Sequence, residues 1–395
     1  MAKPTNIAYV SGPVVRWARE RAGLSSEELA VQIASVRPSL IEAWERGESL
    51  PTFSQAETLS EKLRVPLAVF FMEAPPNITL PIPDLRTVSQ EARGKPSLEF
   101  FDIVSDITLR QRWYREFREE QQARPLDFVG SFRTNRDVDS VAEDMANKLG
   151  IDDQLRQECP TWQNFFVSFV QRTEALGVLV MRSGVVRHNP TRTLAVEEFR
   201  GFAISDEIAP LVFINSRDAK AAQIFTLAHE LAHIWIGASG ISNLKPRART
   251  GERSSEVENF CNQVAAQLLV PGEEFEEFWN LRKGVSDNLR AVATHYRVSM
   301  MVALRRAYDL HKINYTLFSQ LLDEEYNKLE KLKVKEEDEG GGNFWASFNA
   351  RNSPTFVRAV LNSIRQDRLS YRDAAVLMGV RVQTLLNHPT IRKPK

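Results

Sequence analysis

Two histidines spaced four positions apart, His229 and His233, enclose a glutamate at Glu230. The surrounding run from Ile224 to Ile236 is largely apolar and free of proline, which predicts a buried helix. Residues four apart share one helix face, so both imidazoles can reach a single metal ion. Glu230 is offset by one position and can address a water on that metal. The spacing predicts metal-assisted peptide hydrolysis with Glu230 as the base.

Chance is the simplest competing explanation for this motif. With six histidines in 395 residues, it should arise at random in on the order of one such chain in a hundred. A random match would fall on a polar surface as readily as within an apolar helix. The apolar flanks and a candidate third ligand downstream therefore favour a genuine metal site, with zinc as the expected ion.

The third ligand should come from a second helix, which we predict from Ser255 to Pro271. Ser254 or Ser255 can cap it, acids fill its first turn, and Pro271 ends it. Its apolar stripe consists of Val257, Cys261, Val264 and Leu268. Glu258 is the candidate third ligand, with Asn262 one turn later as its support. Glu256 is the alternative, although it reads more simply as a solvated first-turn residue.

Composition indicates a protein without membrane segments. Lysine plus arginine and aspartate plus glutamate each number 51, so the net charge points to no partner. Cys159 and Cys261 are too few for a disulfide framework and indicate a reducing compartment. Cys261 could bind zinc as a thiolate, but its place on the apolar stripe favours packing. With no signal-peptide pattern and no apolar run near ~20 residues, we expect a cytoplasmic protein.

The segments around these residues carry a family resemblance. They are Pro210-Leu211-Val212-Phe213-Ile214-Asn215, Phe225-Thr226-Leu227-Ala228-His229-Glu230, Glu258-x-x-x-Asn262 and Ala265-Ala266-x-Leu268-Leu269-x-Pro271. They resemble the ImmA/IrrE family of metallopeptidases. The resemblance implies that His229, His233 and Glu258 hold zinc, that Glu230 is the base, and that a repressor or other regulatory protein is cleaved. One departure is Cys261, where the family usually has alanine.

The first 75 residues are predicted to form a separate domain of five helices. The predicted helices are Val14 to Ala22, a second starting at Ser25 with a capping box to Glu28, Val36 to Glu45, Phe53 to Leu63, and Leu67 to Phe71. The motifs Leu24-Ser25-x-x-x-Leu29-Ala30 and Ile41-x-x-Trp44-Glu45-Arg46-Gly47-x-x-x-Pro51 resemble the XRE family of helix-turn-helix domains. The resemblance implies that helix three enters the major groove of DNA.

The charge of this domain offers little general attraction for phosphate. Residues 1–75 hold eight Lys/Arg and nine Asp/Glu, a net charge of −1, whereas phosphate attraction supplies most non-specific affinity. Glu42 also stands on helix three, where family members often carry a neutral or basic group. The candidate DNA-contacting residues are Arg16, Ser26, Arg37, Ser39 and Arg46. The rival interpretation is a module used for dimerisation or partner binding.

The middle of the chain reads as helices followed by a small sheet. Helices are predicted at 98–122, 138–149 and 161–176, and strands at 177–181, 201–204 and 211–214. Such a sheet packed against the zinc helices makes a zincin-like α+β core, and an edge strand near the metal could hold an extended substrate peptide. The segment Leu80 to Arg86 is predicted to be extended. His188 lies in a polar loop and is expected to be exposed.

The end of the chain differs in charge from the rest. Residues 326–343 are a charged run ending in glycines, predicted to be a solvated helix that fades into a linker. Residues 344–395 hold nine Lys/Arg and two Asp, a net charge of +7. The pattern from Leu369 to Leu386 indicates a second helix-turn-helix-like element. Its charge suits nucleic acid or an acidic protein surface.

Together these patterns predict a mainly α protein with a small sheet, in four parts. They are an XRE-like domain at 1–75, a zinc peptidase at 76–325 with a helical N-terminal part, a linker at 326–343 and a basic helical module at 344–395. The expected function is a DNA-binding regulator that cleaves a protein substrate, with a homodimer as one option. The alternative is an antitoxin that represses its operon and neutralises a toxin by binding, with proteolysis dispensable.

Overall fold

The computed structural model of the chain describes residues 6–33, 35–76, 96–134, 137–242, 256–338 and 344–391. These residues form two compact units, which we describe separately. The first contains the described residues up to Asp102, and the second those from Ile103 onward. Helices dominate both units, and the second contains one four-stranded sheet, so the predicted fold class is confirmed. The predicted extended segment Leu80–Arg86 and the predicted caps Ser254 and Ser255 lie outside the described residues.

The first unit is a small helical domain around one apolar core. The indole of Trp44 and the side chains of Leu29, Ile41 and Phe70 are almost completely buried in it. The last predicted helix is a short 3-10 helix at Leu67–Phe71. The α-helices that precede it are α1 (Gly12–Arg21), α2 (Ser26–Gln32), α3 (Pro38–Arg46) and α4 (Phe53–Leu63).

The sequence determines where α2 and α3 begin and end. Ser25 Oγ accepts a hydrogen bond from the Glu28 amide at 3.1 Å, and the Ser25 amide donates to Glu28 Oε2 at 2.7 Å, which confirms the predicted capping box. Helix α3 starts at Pro38, two residues later than predicted, because the residue before a proline disfavours the helical conformation. Gly47, with φ of 73°, ends it in the left-handed region.

The second unit places helices around the sheet. Its strands are β1 (Leu179–Ser183), β2 (Gly201–Ile204), β3 (Leu211–Asn215) and β4 (Gly240–Ser242). Helix α5 (Leu98–Glu120) leads into this unit, and the helices that follow are α6 (Val138–Leu149), α7 (Asp153–Glu158), α8 (Trp162–Ala175), α9 (Lys220–Trp235), α10 (Glu256–Leu269), α11 (Gly272–Phe278), α12 (Val285–His295), α13 (Met300–Asp309) and α14 (Tyr315–Asp338). Four more helices follow after residue 343: α15 (Phe344–Asn352), α16 (Pro354–Arg365), α17 (Tyr371–Leu377) and α18 (Val382–Leu386).

The sheet has the strand order β1-β3-β2-β4. Strands β1 and β3 are parallel, with Val180 opposite Val212, whereas β2 is antiparallel to both β3 and β4. All residues of β2 and β3 are buried, as expected for strands that pack on both faces. Helix α9 packs on β2 and β3, and α10 packs on α9 and α6. The sheet therefore supports the helix that carries the histidine motif.

Hydrophobic packing and one polar link hold α9 in place. Every residue from Thr226 to Trp235 is buried, which explains why this run is apolar apart from its chemically active side chains. The indole Nε1 of Trp235 donates to Asp144 Oδ2 on α6 at 2.8 Å. The ring centroids of Phe128 and Trp235 lie 4.4 Å apart. Among the described helices, none combines the length and apolar character needed to cross a bilayer.

Candidate metal centre

The His-Glu-x-x-His residues occupy the last two turns of α9. His229 and His233 have no exposed surface, and their Nε2 atoms lie 3.0 Å apart. Their ring centroids are 4.8 Å apart at an interplanar angle of 68°, so the two imidazoles converge on one point from successive turns. The one-turn spacing on a rigid, buried helix therefore produces the two-nitrogen arrangement expected from the sequence.

Helix α10 brings a carboxylate to the same point. Glu258 Oε2 lies 3.4 Å from His229 Nε2, and Glu258 Oε1 lies 3.1 Å from His233 Nε2. Glu258 is 2% exposed, although it belongs to the first turn of a helix, where acids are usually solvated. Within the described part of the chain, these three side chains are the group of His, Cys, Asp and Glu residues that could hold a metal ion.

The protonation states at this point suit a metal. Burial lowers the pKa of His233, although Glu258 acts in the opposite direction. Burial would raise the pKa of Glu258, but hydrogen bonds with His229 and His233 outweigh it and hold the pKa at about 2. The directions correspond to a neutral imidazole beside an ionised carboxylate, which is the state that metal binding requires.

The distances between the donor atoms are close to those of a zinc site. Ligand atoms about 2.0–2.2 Å from a tetrahedral ion stand about 3.3–3.6 Å from one another. The distance from His229 Nε2 to Glu258 Oε2, 3.4 Å, lies in this range, and the other two, 3.0 and 3.1 Å, are slightly shorter. Two imidazole nitrogens and a carboxylate oxygen are a ligand set typical of a hydrolytic zinc site, which keeps its fourth position for water or substrate. Among the described residues, His229 Nδ1 is buried without a hydrogen-bond partner.

Glu230 is fully buried and lies against β2. A Cβ atom placed on Gly201 would stand 2.9 Å from Glu230 Oε1 and 2.7 Å from Thr226 Cγ2, closer than real Cβ contacts. Gly201 therefore leaves the space that the Glu230 carboxylate occupies. Gly201 was not among the site residues predicted from the sequence, although a glycine within a strand can mark a close approach of another group.

The other candidates near the site have different surroundings. Glu256 is exposed at the first residue of α10, which agrees with its interpretation as a solvated residue. Asn262 is half-buried one turn after Glu258, and its supporting role remains a prediction. Cys261 is completely buried, and desolvation together with Glu258 and Glu230 raises the pKa of its thiol. A protonated, packed thiol is what the apolar stripe predicts.

The predicted DNA-contacting residues differ in accessibility. Arg37 and Ser39 are exposed at the start of α3, and Ser26 is half-buried at the start of α2. Arg16 is 52% exposed and pairs with the buried Glu45 at 3.4 Å. Arg46 is exposed, but its Nε and Nη2 atoms donate to the two carboxylate oxygens of Glu48 at 2.8 and 2.9 Å.

The prediction that His188 is exposed was wrong. Its ring is half-buried beneath α15, where it stacks on Phe348 with ring centroids 5.9 Å apart, and its Nδ1 lies 2.6 Å from Arg351 Nη1. These partners follow more than 150 residues later, so the polar composition of the loop gave no sign of them. The basic helices after residue 343 therefore belong to the same compact unit as the candidate metal centre, and α15 packs on β1.

Comparison with protein families agrees with both resemblances. Residues 15–70 match the model of a helix-turn-helix domain, and residues 173–308 match that of the IrrE N-terminal-like domain, peptidase family M78. Residues 352–387 match a domain of unknown function, DUF8813. A search of curated proteins finds no match. The matched segments identify the chain as a fusion of a helix-turn-helix domain with an IrrE-like metallopeptidase domain.

Proposed function

We propose that this protein is a transcriptional regulator with a zinc-dependent endopeptidase that uses His229, His233 and Glu258 as metal ligands and Glu230 as the base. The observation that supports it is the convergence of three buried donor groups from α9 and α10 at distances that suit one ion. The domain matches support the coarser statement of a regulator fused to a metallopeptidase.

The chemistry follows from the types of side chain. Zinc held by His229, His233 and Glu258 would supply Lewis-acid polarisation of a peptide carbonyl and would make a nearby water more acidic. Glu230 accepts the proton of the attacking water and then delivers it to the leaving amine, as a positioned carboxylate can. Gly201 leaves room for the Glu230 carboxylate, because a Cβ atom at position 201 would stand 2.9 Å from Oε1.

The sheet offers a place for the substrate backbone. Strand β4 is the last strand in the order β1-β3-β2-β4, and its Ser242 pairs with Gly201, the residue that faces Glu230. An extended peptide can add to such an edge by main-chain hydrogen bonds. The proposed substrate is a regulatory protein, a repressor being the type that the family resemblance implies, cut within an extended segment.

One observation favours control of this activity. All four side chains of the site are at most 2% exposed, which restricts the direct access of a peptide to them. The same burial is compatible with the alternative function, an antitoxin that represses its operon and neutralises a toxin by contact. The two candidates differ in whether Glu230 matters for the biological effect.

A Glu230→Gln variant tests the proposal, because it preserves size and polarity but removes the base. We expect it to bind zinc like the natural protein and to cleave its substrate at least about 100-fold more slowly. Co-expression of either form with the protein encoded by the adjacent gene measures both the cleavage and the biological effect. Unchanged cleavage by the variant would remove Glu230 from the mechanism, and neutralisation of a toxin without cleavage would favour the antitoxin.

A further inference from the structure

The helices α17 and α18 form a compact pair, which we call the C-terminal helix pair (Tyr371–His388). Ser370 caps α17, since its Oγ accepts a hydrogen bond from the Asp373 amide at 3.1 Å. Gly379, with φ of 65°, makes the turn, and α18 starts three residues later. Helices α17 and α18 both lie within residues 352–387, which match a domain of unknown function. The functions proposed for the metallopeptidase and for the N-terminal domain do not involve this helix pair.

Burial divides the pair into two faces. The inner face contains Ala374, Ala375, Met378, Leu385 and His388, each at most 7% exposed. His388 packs on α15, with its ring 4.7 Å from that of Trp345. The outer face is exposed and consists of Tyr371, Arg372, Arg381, Val382, Gln383, Leu386 and Asn387.

The outer face carries side chains of the types that recognise DNA bases. In helix-turn-helix motifs the second helix lies in the major groove with its first residues on the base edges. Arg381, Gln383 and Asn387 are side chains of the types that bind guanine and adenine edges there, and Val382 can contact a thymine methyl. We propose that the C-terminal helix pair is a second DNA-binding element, which places α18 in the major groove of duplex DNA.

The distribution of charge supports DNA as the occupant. The described residues 344–391 contain six arginines and two aspartates, a net charge of +4, whereas residues 1–75 carry −1. Five of these arginines are exposed: Arg358, Arg365, Arg368, Arg372 and Arg381. Since phosphate neutralisation supplies most general affinity for DNA, the C-terminal module supplies more of it than the N-terminal domain.

Packing of the turn between α17 and α18 fixes the orientation of the helix pair. A Cβ atom on Gly379 would stand 3.2 Å from Arg110 Nη2 and 3.7 Å from His188 Cδ2, so the turn is seated on the peptidase body. Arg110 is 6% exposed, and Arg351 contacts His188 beside it. The C-terminal helix pair is thus packed within the unit that contains the candidate metal centre. Its proposed role in DNA binding does not depend on zinc or on proteolysis.

Charge reversal in the full-length chain tests the proposal. The probe is a fluorescent 30-base-pair duplex of random sequence, with its dissociation constant measured over a series of salt concentrations. Arg381→Glu should weaken binding roughly tenfold and lower the slope of log K against log salt by about 1. Arg358→Glu is the matched control: it makes the same charge change on α16, outside the helix pair, and should have a smaller effect. The N-terminal domain is intact in all three proteins, so its contribution is common to them.

A second variant tests reading of sequence. Gln383→Ala should retain affinity for the random duplex but lose part of the base preference found by selection from a random library. Unchanged binding by Arg381→Glu, or equal weakening by Arg381→Glu and Arg358→Glu, would overturn the proposal. Unchanged binding would instead point to an acidic protein surface as the partner of this module.

Discussion

A single methyl group at position 201 would collide with the carboxylate on which the proposed reaction depends. Gly201→Ala should push Glu230 away from its position, because the new Cβ would lie 2.9 Å from Oε1. We expect peptide cleavage to fall sharply while zinc content is retained, since the three atoms nearest to the new Cβ belong to Thr226, Glu230 and Phe213 and not to the proposed ligands. The overpacking should also cost about 1–3 kcal/mol of stability.

Gly284→Ala is the control for that substitution. Its Cβ would meet only Asp287 Oδ2, at 3.8 Å, and its φ of −62° suits alanine. This variant should cleave and bind zinc like the natural protein. If Gly201→Ala loses zinc and activity together, or keeps full activity, Gly201 does not act by positioning the base.

At this scale the sequence predicted the cluster of three side chains but not its surroundings. Spacing placed His229 and His233 on one helix face, and the apolar stripe of α10 left Glu258 on a neighbouring face. The contact between Gly201 and Glu230 joins a strand to a helix, and no local pattern encodes such a long-range approach. The prediction that His188 is exposed failed for the same reason, since the partners of this side chain lie on α15.

At the scale of elements, the N-terminal cap of α2 is the clearest local signal that the structure confirms. Ser25→Ala removes the acceptor for the Glu28 amide and should destabilise the N-terminal unit by about 1 kcal/mol. Chemical denaturation followed by circular dichroism measures this change. Ser25→Asp retains a capping oxygen and should be nearly neutral, so equal losses in the two variants would contradict the capping role.

Strong periodicity and clear end signals were enough for helices α5, α6 and α8 and for the buried strands β2 and β3. The short elements α7 and β4 were missed, because six and three residues are too few to show a period. Helices α11, α15 and α16 were not predicted as separate elements either. The start of α3 was placed too early, because the restriction that Pro38 imposes on Arg37 was overlooked. Helix α14 extends to Asp338, so the charged run is helical up to that residue, as predicted.

At the scale of the whole chain, the basic C-terminal helices belong to the unit that holds the metal centre. Burial, with Arg351 and Arg110, lowers the pKa of His188 to about 4, whereas a histidine in the unfolded chain titrates near 6.5. Between these pH values the unfolded state binds a proton that the folded state does not. The free energy of unfolding should therefore fall as the pH falls from about 6.5 to 4.

A comparison of the natural protein with His188→Gln isolates this effect. The variant should lose less stability over that pH range, by about 1–2 kcal/mol, a figure reduced because the ring is partly exposed. Unfolding free energies from urea titrations at pH 7 and pH 5 provide the measurement. Parallel pH profiles for the two proteins would contradict the neutral, buried state of His188.

Metal analysis of the purified protein tests whether His229, His233 and Glu258 bind one metal ion. We predict about one zinc per chain in the natural protein and in Glu230→Gln. Glu258→Ala should reduce zinc binding strongly, because it removes the proposed ligand from α10. A natural protein without bound metal after growth in zinc-containing medium, or a Glu258→Ala variant with undiminished zinc, would contradict this metal site.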